Sequence, residues 1–139
     1  MVEPLFKKIL CPIDFSRISI PAIELARKIA LRNDAMIVLL YVVATPDPVQ
    51  SQHELERDVV LNGLRGVAHK WLEGKVRYDI VVRSGEPAAT IVEAERQLDV
   101  DAVVMATHGR TELNDVRLGS VTEQVVRRST CPVITLRPQ

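Results

Sequence analysis

The stretch from Asp101 to Glu123, DAVVMATHGRTELNDVRLGSVTE, holds the residues best placed to do chemistry. Gly109 lets the backbone come close to a ligand or take positive φ. After nine intervening residues stand Gly119 and Ser120, where a helix should begin. Ser120 can serve as N-cap, and Glu123 follows at the capping-box spacing. Free N–H groups at a helix start sit at the positive end of its dipole and can hold phosphate. The same residues also describe an ordinary strand-to-helix loop with a cap. Asp14 is the second candidate. Its carboxylate can accept hydrogen bonds from a sugar hydroxyl, help hold a cation, or cap the helix that follows.

These residues need elements to hold them, and the chain supplies an alternation of strand and helix. Lys8 to Ile13 reads as strand 1 and Ser16 to Arg32 as helix 1, capped by Ser16 or Ser19, with Pro21 in the first turn. Ile23, Ala26 and Ala30 repeat at helical spacing and should face the sheet. Ala35 to Val43 is an apolar run, read as a central strand 2. Gln52 to Glu73 reads as helix 2, with Leu55, Val59, Val67 and Trp71 as its apolar stripe and Gly63 and Gly66 inside it. Those glycines either allow a close approach or mark a bend. Gly74 should stop the helix. Val76, Tyr78, Ile80 and Val82 alternate as a half-exposed edge strand 3, and Pro87 opens helix 3, which runs to about Leu98. Ala102 to Ala106 is strand 4, Ser120 to Arg128 helix 4, and Val133 to Leu136 strand 5.

Such an order predicts one α/β domain over residues 1–139, a parallel sheet with helices on both faces and right-handed crossovers. A ligand then belongs beyond the carboxyl ends of the strands, near Pro12 to Asp14, Val42-Val43 and Met105 to Gly109. Eighteen basic residues balance eighteen acidic ones, which argues against a dedicated nucleic-acid or membrane-surface binder. The longest apolar run, Met36 to Ala44, is too short to span a membrane as a helix. No secretory signal is evident. Cys11 and Cys131 lack metal-like or C-x-x-C spacing and read as free thiols in a reducing cytoplasm. His53 and His69 fall on or near the polar side of helix 2. P-loop, dinucleotide and nucleophile-elbow patterns are missing. Nothing nominates a general base aimed at a γ-phosphate, so no catalytic residue and no metal-ligand set is assigned.

Ala106-Thr107-His108-Gly109, nine residues, then Gly119-Ser120 resembles the universal stress protein signature, G-x2-G-x9-G-[S/T]. Lys8-Ile9-Leu10-Cys11-Pro12-Ile13-Asp14-Phe15-Ser16, Gly85-Glu86-Pro87 and Cys131-Pro132-Val133-Ile134 are also similar to that family, so the resemblance covers nearly the whole chain. One position departs from it: the signature's first glycine is Ala106 here.

The resemblance implies a Rossmann-like, doubly wound sheet of five parallel strands in order 3-2-1-4-5. It implies a cytoplasmic stress-response regulator that binds ATP, or AMP or ADP, with Mg or Mn bridging the phosphates. Val42 main-chain groups would read the adenine, beside Pro12 and Ile13, while Asp14 and the backbone around Met105 and Ala106 would hold the ribose. Gly109, Gly119, Ser120, Val121 and Thr122 would cradle the phosphates, flanked by His108 and Arg110. Binding would alter the loop from Gly109 to Gly119 and so what partners meet. Strand 5, an apolar edge, would pair with its copy in a homodimer. Two alternatives stay open. One is a nucleotide-free dimeric scaffold, with Ala106 as the blocking feature; the other is a slow ATP hydrolase.

Overall fold

The computed structural model of the chain describes residues 3–44, 50–107 and 119–137, with side chains in the second helix described from 56 onward. Five strands, β1 (Lys8–Pro12), β2 (Met36–Val43), β3 (Tyr78–Ser84), β4 (Ala102–Ala106) and β5 (Val133–Leu136), form one sheet. All pairings are parallel and the order is β3-β2-β1-β4-β5, the doubly wound sheet the sequence predicts. The helices are α1 (Ser19–Asn33), α2 (Gln50–Trp71), α3 (Pro87–Gln97) and α4 (Ser120–Arg128).

Alternation along the strands divides the core in two. Ile9, Cys11, Ile37, Leu39 and Val104 pack on α1 and α2. Leu10, Val38, Leu40, Val103 and Met105 pack on α3 and α4. Both faces of the central strands are therefore covered, which is why β2 and β4 are apolar without a break. The edge strands differ: no residue of β5 is fully buried, and β3 buries only Val82.

Pairing is unequal across the sheet. β1 matches β2 over five residues and β4 matches β5 over four, but β1 matches β4 at only two, Ile9 with Ala102 and Leu10 with Val103. That short seam is stitched at its lower end by Asp101. Its carboxylate accepts from the N–H groups of Lys7 (2.7 Å) and Lys8 (3.0 Å), and its own N–H donates to the Lys8 carbonyl (2.8 Å). Above the two matched pairs the strands part, and this is where the connections change direction.

Three local expectations are corrected. Helix α1 begins at Ser19 rather than Ser16, its N-cap is Ile18, and no side chain caps it. Ser16 and Ser19 are instead engaged by Asp14. In α2 the buried stripe is Val60, Leu64 and Ala68, continued by Leu72 just past its end, while Val59 is 72% exposed. Val67 and Trp71 only flank that stripe, and the Leu55 side chain lies outside the described residues. The third concerns Ser120 and is taken up with the site. Gly74 does follow α2 with positive φ, 75°.

Gly63 turns out to admit an aromatic ring. A Cβ there would lie 2.9 Å from Phe15 Cζ. Phe15 itself holds φ at +65° and stacks on Tyr41, ring centroids 5.0 Å apart. The turn after β1 thus bends back over α2 and the end of β2.

Candidate functional site

Where β1 and β4 part, a cavity of about 330 Å3 opens at the carboxyl ends of the strands. Each wall comes from one element. Pro12, Ile13 and Asp14 follow β1; Leu40, Tyr41 and Val42 end β2; Met105 and Ala106 end β4. The start of α4 supplies Gly119, Ser120, Val121 and Thr122, and the start of α3 supplies Pro87 and Ile91. The structure therefore brings together every sequence-nominated site residue that it describes. His108, Gly109 and Arg110 lie outside the described residues.

The α4 end of the cavity is built by hydrogen bonds to β4. Gly119 N–H donates to the Thr107 carbonyl (2.7 Å), and Thr122 Oγ1 donates to the Ala106 carbonyl (3.0 Å). The first intrahelical bond runs from Glu123 N–H to the Gly119 carbonyl (2.9 Å). Helix geometry leaves the N–H groups of Ser120, Val121 and Thr122 without an acceptor inside α4. These three residues line the cavity. Gly119, not Ser120, is the N-cap, and no side chain caps the helix. Ser120 is already the first helical residue, so the expected capping box is absent: Glu123 bonds forward to Arg127 (2.8 Å) instead. The reason is the pull of β4 on Gly119, which sets the helix start one residue earlier. Ser120 is left exposed on the cavity side.

Asp14 organises the turn after β1. Its Oδ1 accepts from Ser16 N–H (3.0 Å) and from Ser19 Oγ (3.0 Å). It caps the turn rather than the helix, while its residue also lines the cavity. It is the only charged side chain among the described lining residues. Opposite it, Ile13 N–H donates to the Leu40 carbonyl (2.9 Å), and Gly85 N–H donates to the Val43 carbonyl (3.0 Å). Main-chain groups alternate sides along a strand. Val42 therefore turns its N–H and carbonyl the same way as Leu40, toward the side where β1 has already ended. Ala106 shares the face of Val104, by the two-residue period, which is the face that α1 covers.

Ser19, Leu40, Tyr41, Pro87 and Ile91 line the cavity without having been nominated as site residues from the sequence. Pro87 carried a usable signal. Glu86 caps α3 by accepting from Ala88 N–H (3.1 Å) and Ala89 N–H (2.8 Å), and Pro87 takes the next position, as a helix start in a ligand-facing loop would. Tyr41 stands in β2 next to Val42, so the strand-end argument that nominated Val42 reaches its neighbour as well.

Among the described residues no group of three His, Cys, Asp or Glu side chains could hold a metal ion, and no helix is long and apolar enough to cross a membrane. His69 is exposed. Cys11 is a buried free thiol and Cys131 a half-buried one.

Comparison with known proteins is consistent along the chain. Residues 5–137 match the model of the universal stress protein family. A universal stress protein of Methanocaldococcus jannaschii is 33% identical, covering 97% of this chain and 84% of its own length. One of Bacillus subtilis is 29% identical, covering 96% of this chain and all (100%) of its own. Among solved structures, the universal stress protein UspA from Lactobacillus plantarum superposes with a TM-score of 0.81 at 29% identity, over 94% of this chain and 97% of that one. With sheet order, extent of match and relatives in agreement, this chain belongs to the universal stress protein family.

Proposed function

We propose that this protein is a stress-response regulator that binds an adenine nucleotide, ATP in the first instance, in the cavity at the ends of β1, β2 and β4. The observation that carries the reading is the start of α4. Three N–H groups with no acceptor inside the helix border a cavity whose far wall offers the main-chain edge of Val42. A helix start favours anionic oxygens, and a main-chain edge between Pro12, Ile13 and Met105 suits a flat base. In this pose Asp14 and the end of β4 receive the ribose hydroxyls. By the family signature, His108, Gly109 and Arg110 would complete the phosphate side. A Mg or Mn ion would be held mainly by the phosphates, since Asp14 is the one described carboxylate at hand. Two universal stress proteins are solved in complex with cAMP and dAMP, with TM-scores of 0.70 and 0.69. At 20% and 18% identity they speak to the fold, and this chain's own cavity speaks to the ligand.

A nucleotide-free dimeric scaffold is the second reading, and Ala106 favours it, because its residue lines the cavity where the family signature has glycine. Two measurements separate the readings. Purified protein is heat-denatured and its supernatant resolved by anion exchange, and nucleotide-free protein is titrated calorimetrically with ATP. Adenine nucleotide in the supernatant or saturable ATP binding is expected. Neither, up to millimolar ATP, would leave the scaffold reading.

A further inference from the structure

A second hollow, about 370 Å3 in volume, opens between α1 and α2 on the opposite side of the β1–α1 turn. Its inner wall is core: Ile13 and Ile23 are buried. Ile20, Val67 and Trp71 continue the apolar lining outward. Two charged residues border it, Arg17 and Lys70, and both are exposed cations. No acidic residue borders it among those described.

Glycine keeps the hollow open. A Cβ on Gly66 would meet nothing within 4 Å, although glycine in a helix gives up stability relative to alanine. The two large rings that line the hollow are each fixed by a neighbour. Phe15 is stacked on Tyr41, and the Trp71 ring has Lys70 Nζ 5.4 Å and Arg27 Cζ 5.9 Å from its centroid.

An apolar slot with an all-cationic rim selects a molecule with an apolar body and a single anionic end. A cation would meet Arg17 and Lys70 with repulsion. A polyanion would have to bury charge against isoleucine and indole. We propose that this hollow binds a small amphipathic carboxylate, its hydrocarbon against Ile20, Val67 and Trp71 and its carboxylate at Arg17 and Lys70. The site lies between α1 and α2 and shares only Ile13 and Ser19 with the lining of the cavity at the strand ends.

The chain has one tryptophan, and Trp71 lines this hollow and not the cavity at the strand ends. Its emission therefore reports on this site. The full chain is titrated with octanoate and, in parallel, with octylammonium. Octanoate is expected to shift Trp71 emission saturably and to bind about tenfold or more tighter than octylammonium. Gly66→Leu fills the open space and should remove the response. Arg17→Gln and Lys70→Gln should each weaken it about two- to fivefold, as exposed cations do. Should Gly66→Leu fold poorly, the double Arg17→Gln, Lys70→Gln variant, changed only at exposed positions, serves in its place. No saturable response, an equal response to octylammonium, or a response unchanged in folded Gly66→Leu or in the double variant overturns the proposal.

Discussion

Ser120→Asp separates the helix from the ligand, because it should move the two in opposite directions. Ser120 is the first residue of α4, exposed and facing the cavity, with Gly119 already in the N-cap position. A carboxylate in the first turn complements the helix dipole and contributes about 0.3–1 kcal/mol. In a chain of this size that is a rise in Tm of about 1–4 °C. Phosphate bound at the same helix start would meet that charge. At a separation of about 5 Å and an effective dielectric of about 20–80, each unit of phosphate charge is opposed by about 0.8–3 kcal/mol. ATP affinity should fall about four- to 150-fold. Tm is read on nucleotide-free protein, since bound ligand would itself stabilise the folded state. Affinity is read by calorimetry beside Ser120→Ala, which removes the hydroxyl without adding charge and should lose much less. A raised Tm with ATP affinity within about twofold of the unaltered protein would place the phosphates away from α4 and refute the reasoning.

Ala106→Gly should tighten ATP binding and Ala106→Val should weaken it strongly, by up to about 150-fold if the added bulk costs about 1–3 kcal/mol; equal calorimetric affinities for all three would take the ribose away from position 106. The chain should form a two-fold dimer joined by antiparallel β5 strands, and removing Cys131 to Gln139 should leave monomer or aggregate; light scattering that shows a monomeric full chain or an unchanged dimer after the deletion would exclude that edge. Gly85 holds φ at +149°, and a Cβ there would lie 2.5 Å from Thr90 Oγ1. Gly85→Ala should therefore cost about 1–3 kcal/mol in urea denaturation. Burial pushes the Cys11 thiol up to about 12 from 9.0, so the folded value lies above the unfolded one. Its contribution to stability is complete below about pH 9 and is lost as the pH rises toward 12, and a thiol reagent at pH 8 should modify Cys11 only after unfolding.

What could be read in the sequence was what local composition decides. β4, α4 and β5 lie where apolar runs and the glycine before Ser120 placed them, and the described part of the nominated site converges on one cavity. The misplacements share one cause: tertiary partners. Gly119 became the N-cap because Thr107 holds its N–H, and no serine rule contains that bond. Helix α1 started late because Asp14 recruits Ser16 and Ser19 into a turn of its own. The stripe on α2 was displaced by one position at Val59, since Val59 and Val60 are adjacent valines and only packing against β2 and β3 chooses between them. Phe15 was invisible as a contact because its partners, Tyr41 and Gly63, come from other elements.

The two-residue match between β1 and β4 has a mechanical consequence. Along the seam between β3-β2-β1 and β4-β5, the strands are matched only at the end held by Asp101. A molecule in the cavity at the other end touches residues of β1, β2 and β4 and so acts as a second fastener. Amide exchange along β1 and β4 then becomes a gauge of occupancy: slow near Asp101 in every state, and slowed toward Pro12 and Ala106 only when that molecule is in place.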